Sequence, residues 1–474
     1  MLLNETLSMQ RPDSGRWRRL RATASAVSVA VALGATWTSG PARAEEPLVV
    51  APTGAVIPQQ LSLDEALNIF RAQGLDLLMA QANVVAAEGD VGIAGAIPNP
   101  TINAGVGRTF NYDPKDYSAT GGPACVGCSV MTWTAGISDG AAIADTLSGK
   151  RGLRLAVARK ALDAAKLTKF DAQRQLEFIV KSQYVQVAFA KAAVVFAYQV
   201  AEGAEKSFEL NRDRYTSGKI DEGTLARVQT AKLEADQQVD IALSNLRQEQ
   251  LGLAYILGAR STVPDFDIDG ALMKGLAIPS ALKDVSEDTL TKAAMDNRPD
   301  YRAYAAMRDK AQAEIDLAKR LSFPDFVLSL QYTQTGTSQN ALLPPTLVFG
   351  ITMPIPLFYT YSGEQKKAEA DYALQSLAQA KSQAQIVSDV GNAFTAYVTS
   401  RRLVERMEGG LLAAAEKAAS ITKIQFEAGA TTLMDYLDAQ RTYIATRVEY
   451  LTDLTSYWTA VYQLEQATGT ELRK

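Results

Sequence analysis

Few residues in this chain are of types and spacings that do chemistry. Asp435 and Asp438 stand three apart, which places both carboxylates on one face of a helix. Such a pair draws cations in a confined space, but it equally fits a solvated helix face with acids at the favoured N-terminal end. Cys125 and Cys128 form C-x-x-C, which in an oxidising compartment predicts a local disulfide. A zinc site there would need two further ligands, and the chain has no histidine and no third cysteine to give. Thioredoxin-like redox chemistry lacks its βαβ setting. The missing histidine also excludes Ser-His-Asp and Cys-His catalysis. No carboxylate pair stands out as catalytic. No P-loop or dinucleotide glycine pattern occurs, so energy would have to come from a partner. The expectation is a non-enzyme with no catalytic residues, no cofactor and no resident metal.

Composition narrows the class further. Lys+Arg 48 face Asp+Glu 52 in 474 residues, with 47% hydrophobic and 21% charged, the profile of a folded chain. A formal net charge of −4 gives no positive field to draw phosphates, which argues against a nucleic-acid partner. Arg11, Arg16, Arg18, Arg19 and Arg21 precede an apolar stretch from Ala22 to Trp37 and then Ala42-Arg43-Ala44. That order predicts a signal peptide over 1–44, cleaved after Ala44, and hence export. Removing it takes the net charge to about −8. No cysteine stands at the cleavage point, so a lipid anchor is not expected there. Within the mature part no uninterrupted apolar run reaches the ~18 residues of a membrane-spanning helix. Val187 to Tyr198 comes nearest and contains Lys191. Such a chain is either soluble after export or enters a membrane as β-strands.

The elements that would position these residues follow from proline. None lies between Pro123 and Pro264 or after Pro356, and both stretches are rich in strong helix formers. Prolines cluster instead at Pro98/Pro100, Pro324, Pro344/Pro345 and Pro354/Pro356. They flank Thr101–Tyr112, Val130–Ile143, Asp325–Thr335 and Thr346–Phe358, segments rich in Val, Ile, Thr, Phe, Tyr and Gly with partial alternation. These read as two β-hairpins, 101–143 and 325–358, each set between long helices.

The halves repeat. Asp64, Asp76 and Pro100 recur as Asp288, Asp300 and Pro324; Gly136 and Gly149 as Gly350 and Gly363; Tyr215, Gly218, Gln229 and Gly258 as Phe426, Gly429, Gln440 and Gly469. Monotonic offsets of this kind indicate duplication. The expected plan is an N-terminal extension over 45–60, a first repeat over 61–258 with its tip at 214–223, and a linker over 259–284. A second repeat follows over 285–469 with its tip at 426–431, and a tail over 470–474. Ser62-Leu63-Asp64-Glu65 reads as a capping box opening a helix to about Ile97. The next helix runs from Leu147 to about Asn211 and a third from Thr224 to Leu257. Their counterparts are Ser286–Leu321, Gly363–Phe426 and Thr432–Thr468. At ~1.5 Å rise per residue, the middle helix of each half would be roughly 100 Å long, beside two shorter rods stacked end to end.

Four strands cannot close a barrel, and an open edge in hydrocarbon leaves backbone groups unsatisfied. Copies must therefore combine if the strands enter a membrane. A periplasmic coiled-coil scaffold would explain the helices but give the strands no purpose.

With export, duplication, hairpins and rods in view, the chain resembles the TolC family of outer-membrane efflux channels over nearly all of its mature length. The resemblance is carried by Ser62-Leu63-Asp64-Glu65-Ala66-Leu67, Pro98-Asn99-Pro100, Gly149-Lys150-Arg151 and Pro354-Ile355-Pro356-Leu357-Phe358. The Gly-centred tips Arg214-Tyr215-Thr216-Ser217-Gly218 and Gln425-Phe426-Glu427-Ala428-Gly429 complete it, with Asp435-Tyr436-Leu437-Asp438-Ala439-Gln440 beyond. It implies a mainly α fold with a membrane β-hairpin pair, a homotrimer forming a twelve-stranded barrel in outer-membrane lipid and an α-helical tunnel across the periplasm. The partners implied are a periplasmic adaptor and an inner-membrane pump. The function implied is passive export of small solutes. Gly149-Lys150-Arg151 is also similar to the heavy-metal (cobalt-zinc-cadmium type) branch. A type I protein-secretion duct is the alternative cargo reading.

The resemblance further implies that Asp435 and Asp438 ring a closed periplasmic gate, six carboxylates whose repulsion raises some pKa values. Tyr215, Gly218, Phe426 and Gly429 are implied as adaptor-docking tips, although both glycines also fit plain helix C-caps. The first repeat departs from the gate pattern: Thr224 and Arg227 stand at the equivalent positions, with Asp221 and Glu222 in the turn.

Overall fold

A computed structural model describes residues 53–108, 131–283, 285–335 and 343–472. The leader and the Cys125/Cys128 pair lie outside these residues. In chain order the first repeat comprises β1 (Gln60–Leu61), α1 (Leu63–Gln73), α2 (Leu75–Gly95), β2 (Thr101–Arg108), β3 (Met131–Ser138), α3 (Ala142–Leu147), α4 (Lys150–Thr216) and α5 (Glu222–Ile256). After β4 (Asp267–Ile268) come α6 (Glu287–Asn297), α7 (Pro299–Leu321), β5 (Val327–Thr335), β6 (Leu343–Thr352), α8 (Ser362–Arg406), α9 (Leu412–Glu427) and α10 (Leu433–Thr468).

Local chemistry sets the helix ends. Ser62 Oγ accepts from the Glu65 N–H while the Glu65 carboxylate accepts from the Ser62 N–H at 2.9 Å, a reciprocal cap. The helix expected to run from 62 to 97 breaks at Gly74, whose ψ of 118° is extended. Its counterpart breaks at Arg298 (ψ 121°), because Pro299 pushes the residue before it out of the helical region and itself starts α7. At their helix-side ends three strands are shorter than expected: β3 ends at Ser138, β5 begins at Val327 and β6 ends at Thr352. β3 ends at Ser138 and the residues from Ala142 turn helical, so α3 replaces the last part of an expected strand.

At ~1.5 Å per residue, α4 is about 100 Å long. It packs along α2 and α5 on one side and along α7 and α10 on others. The rod α8 is flanked by α6, α7 and α10, and α9 by α10. One eighteen-residue window of α4 is apolar enough by composition to cross a bilayer, which the sequence reading did not find. The window sits in a helix flanked by four others, and 39% of it is buried.

The stretch read as a linker, 259–284, is a packed belt. Its β4 pairs in parallel with β1. Several of its carbonyls accept from side chains of the surrounding helices. Tyr457 Oη donates to Ala277 O at 2.9 Å, Trp458 Nε1 to Leu272 O at 2.8 Å and Gln250 Nε2 to Phe266 O at 2.6 Å. Lys191 Nζ donates to Ile268 O at 2.8 Å. Such buried carbonyls cost free energy when unpaired, so the belt is held by polar satisfaction as well as by the core of Phe70, Tyr184, Leu253 and Leu454 beneath it.

The second rod carries a device the first lacks. Between α8 and α9, Met407–Leu411 forms a π-turn, with Gly410 at φ 147°. Gly149 and Gly363 are 214 apart and Tyr215 and Phe426 are 211 apart, so the second rod is three residues shorter. A π-turn absorbs one more residue. The net difference of four is close to one α-turn of ~3.6 residues, which keeps the same face in phase at both ends. The turn is pinned to the belt: Glu408 Oε1 accepts from Leu276 N and from Tyr450 Oη, each at 2.8 Å. Burial, then this hydrogen bond, pushes the Tyr450 hydroxyl up to about 12, so the tyrosine remains a donor at any physiological pH.

Candidate functional site

The four long strands form one antiparallel sheet in the order β2-β3-β5-β6. Its register sorts the side chains. Ile102, Ile137, Leu330 and Phe349 lie in one row across all four strands, and Ala104, Ala135, Tyr332 and Leu347 in the next on that face. The rows between them, on the opposite face, are Thr101, Ser138, Ser329 and Gly350, then Asn103, Gly136, Gln331 and Val348, then Gly105, Thr134, Thr333 and Thr346. Hydroxyls bridge this second face, with Thr101 Oγ1 and Ser138 Oγ 2.6 Å apart and Thr132 Oγ1 and Thr335 Oγ1 3.2 Å apart. The apolar face is uncovered: Phe349 is 80% exposed and Ile102 74%. In water that face would be a liability. Alternation of apolar and polar faces in strands of eight to ten residues is what a membrane strand requires. Among the described residues β2 and β6 each pair on one side alone, so neither edge of the sheet has a partner strand among them.

Gly149-Lys150-Arg151 joins this sheet to the rods. Gly149 adopts φ 77° before α4. The Lys150 side chain is 6% exposed, and its Nζ donates to Phe323 O at 2.6 Å and to Asp325 Oδ1 at 2.9 Å, where α7 gives way to β5. Arg151 Nε donates to Gly95 O at the end of α2, at 2.8 Å. Arg154 clasps Asp145 of α3 through two hydrogen bonds of 2.7 Å. Three consecutive or nearly consecutive cations thus hold three of the four places where helix passes into strand.

At the far end of the rods, both tips are Schellman caps. Gly218 (φ 68°) donates to Tyr215 O and Lys219 N to Arg214 O; Gly429 (φ 75°) donates to Phe426 O and Ala430 N to Gln425 O. A left-handed residue is required at each of these two positions, which explains glycine there. Tyr215 is on the surface, but Phe426 is 8% exposed and so offers no docking surface of its own. Its ring stacks on Tyr436 at 5.0 Å, and the Arg214 guanidinium covers it at 5.1 Å. Arg214 Nη2 also donates to Glu427 O at 2.6 Å, so the first tip caps the second. Sequence reasoning missed Arg214, whose partner lies one repeat away, and the exposed Ile424 and Met434.

Asp435 and Asp438 are both exposed on α10, sharing a face. Asp435 is the N3 residue of a capping box: its carboxylate accepts from Thr432 Oγ1 at 2.6 Å and from Thr431 Oγ1 at 3.1 Å. Within the single chain those hydrogen bonds hold Asp435 below the usual carboxylate range. The stabilisation they give is present above the unfolded pKa and is lost as pH falls through the folded one. The first repeat differs as expected: Asp221 is the N-cap of α5 and accepts from Thr224 Oγ1, which lowers its pKa too. Among the described residues no cluster of three or more His, Cys, Asp or Glu converges to hold a metal.

A duplicated helical rod ending in a sheet with one bare apolar face defines a class, the outer-membrane channel subunit with long periplasmic helices. The sequence matches the outer membrane efflux protein family over residues 66–259 and 290–470, and the chain belongs to that family. It is an outer-membrane channel protein of the efflux type. It is 25% identical to the cobalt-zinc-cadmium resistance protein CzcC of Cupriavidus metallidurans, over 86% of this chain and 90% of that one. It is 24% identical to the pyoverdine export outer membrane protein OpmQ of Pseudomonas aeruginosa, over 81% and 80%. Its fold is shared with crystal structures of CusC (TM-score 0.68, 16% identity, 90% of this chain and 97% of that one). The outer-membrane channel OprN is similar as well (TM-score 0.69, 18% identity, 87% and 91%).

Proposed function

We propose that three copies of this chain form a passive export duct, a twelve-stranded barrel in the outer membrane continuous with a helical tunnel. It receives cargo from a periplasmic adaptor and an inner-membrane pump. The observation that carries this reading is the sheet, whose one apolar face and two open edges are stable in lipid only when neighbouring copies cover the edges. The threonine-, serine- and glutamine-bearing face then lines the pore. No step of chemistry is assigned to the chain, so the reading is of a conduit and not an enzyme. Heavy-metal cations are the proposed cargo, on the strength of the likeness to CzcC over most of both chains. Deleting the protein should sensitise its host to cobalt, zinc or cadmium salts. Unaltered metal tolerance with impaired pyoverdine release would instead favour the cargo that the likeness to OpmQ suggests.

The tips are the proposed adaptor-facing end, with Tyr215, Gly218 and Gly429 at the surface and Phe426 holding the two turns together from within. Asp435 and Asp438 are the proposed gate carboxylates, six in a trimer. Since Asp435 also caps α10, Asp435→Asn with Asp438→Asn is the informative change, because an amide oxygen keeps the cap while the charge goes. Single-channel recording of this double variant should show weaker block by multivalent cations. Block identical to that of the parent protein would leave the pair with capping alone.

A further inference from the structure

The apolar face of β6 does not stop where its hydrogen bonds stop. Leu347, Phe349 and Ile351 lie on that face, and the alternation runs on past Thr352 through Met353, Ile355 and Leu357. Leu357 is 74% exposed, and Phe358 beside it is fully exposed. The interleaved residues include Pro354 and Pro356, which have no N–H to satisfy, while the Leu357 N–H donates to Ile355 O at 2.9 Å. This stretch therefore asks less of water than an ordinary unpaired loop. The other three passages between helix and strand also carry bare apolar side chains, namely Ile97, Leu147 and Phe323. Tyr359 and Tyr361 follow, with rings 5.2 Å apart and Tyr359 Oη donating to Glu364, and then the exposed Lys366 and Lys367 on the first turns of α8. Apolar side chains, then aromatic hydroxyls, then lysines is the order met on leaving a bilayer through its headgroups.

We infer that Met353–Phe358 is an interfacial anchor seated in the periplasmic leaflet of the outer membrane, extending the lipid contact of the sheet onto the top of the helical rods. The inference rests on the outer-membrane reading above. Continuity with the apolar sheet face commits the segment to lipid and not to a neighbouring copy or a protein partner. The anchor would also set the depth at which the barrel rides.

Depth-dependent fluorescence quenching tests it on the exported protein, freed of residues 1–44 and so of Trp17 and Trp37, in vesicles of brominated phosphatidylcholine. Trp133 lies on the apolar sheet face and Trp458 is buried among the helices. In the native chain Trp133 is the reference for lipid contact. In a Trp133→Phe background, F358W and, separately, L357W should lose as large a share of their emission as Trp133 does, and more to bromines near the headgroup than to bromines at the chain end. If Trp133 is quenched and both introduced side chains are not, the segment is covered by protein and the inference is overturned. If Trp133 itself is unquenched, the sheet is outside lipid and the outer-membrane reading falls along with the anchor. Oligomer formation by each variant, checked on unheated gels, certifies that it has folded.

Discussion

Leu347→Arg should abolish the outer-membrane oligomer, while Gln331→Arg should leave it intact. Leu347 ends the middle row of the apolar face, level with Ala104, Ala135 and Tyr332. The Ile102–Ile137 row and the Val106–Trp133 row flank it on the same face, which places it inside the ~25 Å apolar band of outer-membrane barrels and away from the interfaces. Arginine facing lipid there costs roughly 2–4 kcal/mol per chain, falling to about 0–1 near the interfaces. In the proposed trimer three copies would feel the penalty together, which exceeds half the stability of an ordinary domain. Gln331 sits one row away on the opposite face, where arginine meets water and the hydroxyls of its neighbours. Unheated gels of outer-membrane fractions separate the two outcomes. Equal behaviour of both variants would mean that the two faces do not see different solvents.

Arg298→Met should destabilise the helical body by about 3–5 kcal/mol, the usual loss when one partner of a buried ion pair is removed. Arg298 is 4% exposed, donates to Asp300 at 2.7 and 3.1 Å and to Asp389 at 2.9 Å, and reaches Ala467 O. It thereby ties the α6–α7 break to α8 and to the end of α10. Arg174 on α4 approaches Asp300 as well, at 3.9 Å, and donates to Gln466 O. Burial by itself would raise Asp300, but the hydrogen bonds and charge of Arg298 outweigh it and hold the carboxyl below its ordinary 3.8. A depressed folded pKa adds stability above the unfolded pKa and forfeits it as pH falls through the folded value. The parent protein should therefore lose part of its stability in that acid window, and the Arg298→Met variant should lack that step. Adding Asp300→Asn and Asp389→Asn to the variant should recover much of the loss, since the stranded carboxylates are then neutral. Denaturant titration across pH checks all three expectations.

How far the sequence reached depends on where each signal lies along the chain. The duplication, the two glycine tips and the hairpins were legible because each rests on short-range chemistry: a left-handed cap, a proline boundary, an alternation. Which strand face is apolar was not, because single strands such as Thr101–Arg108 are full of glycine and show little contrast until the register lines up Ile102 with Ile137, Leu330 and Phe349. The belt reads as a linker because its one strand is two residues long and its carbonyls are satisfied by side chains, two of which, Tyr457 and Trp458, stand 180 and 186 residues further along the chain. No residue type announces the π-turn at 407–411; only the shortfall of three residues between the repeats betrays it. The enclosure of Phe426 by Arg214 and Tyr436 is not legible in the sequence, because the Arg214 that covers it stands one repeat away. Asp435 shows two roles competing for one side chain, and its local capping geometry is visible without any neighbour.

The central claim, that several copies complete one barrel, is tested most directly by native mass spectrometry of the detergent-extracted outer-membrane particle. The account predicts three chains per particle, dissociating together on heating. A stable particle of a single chain, with its four-stranded sheet intact, would contradict it.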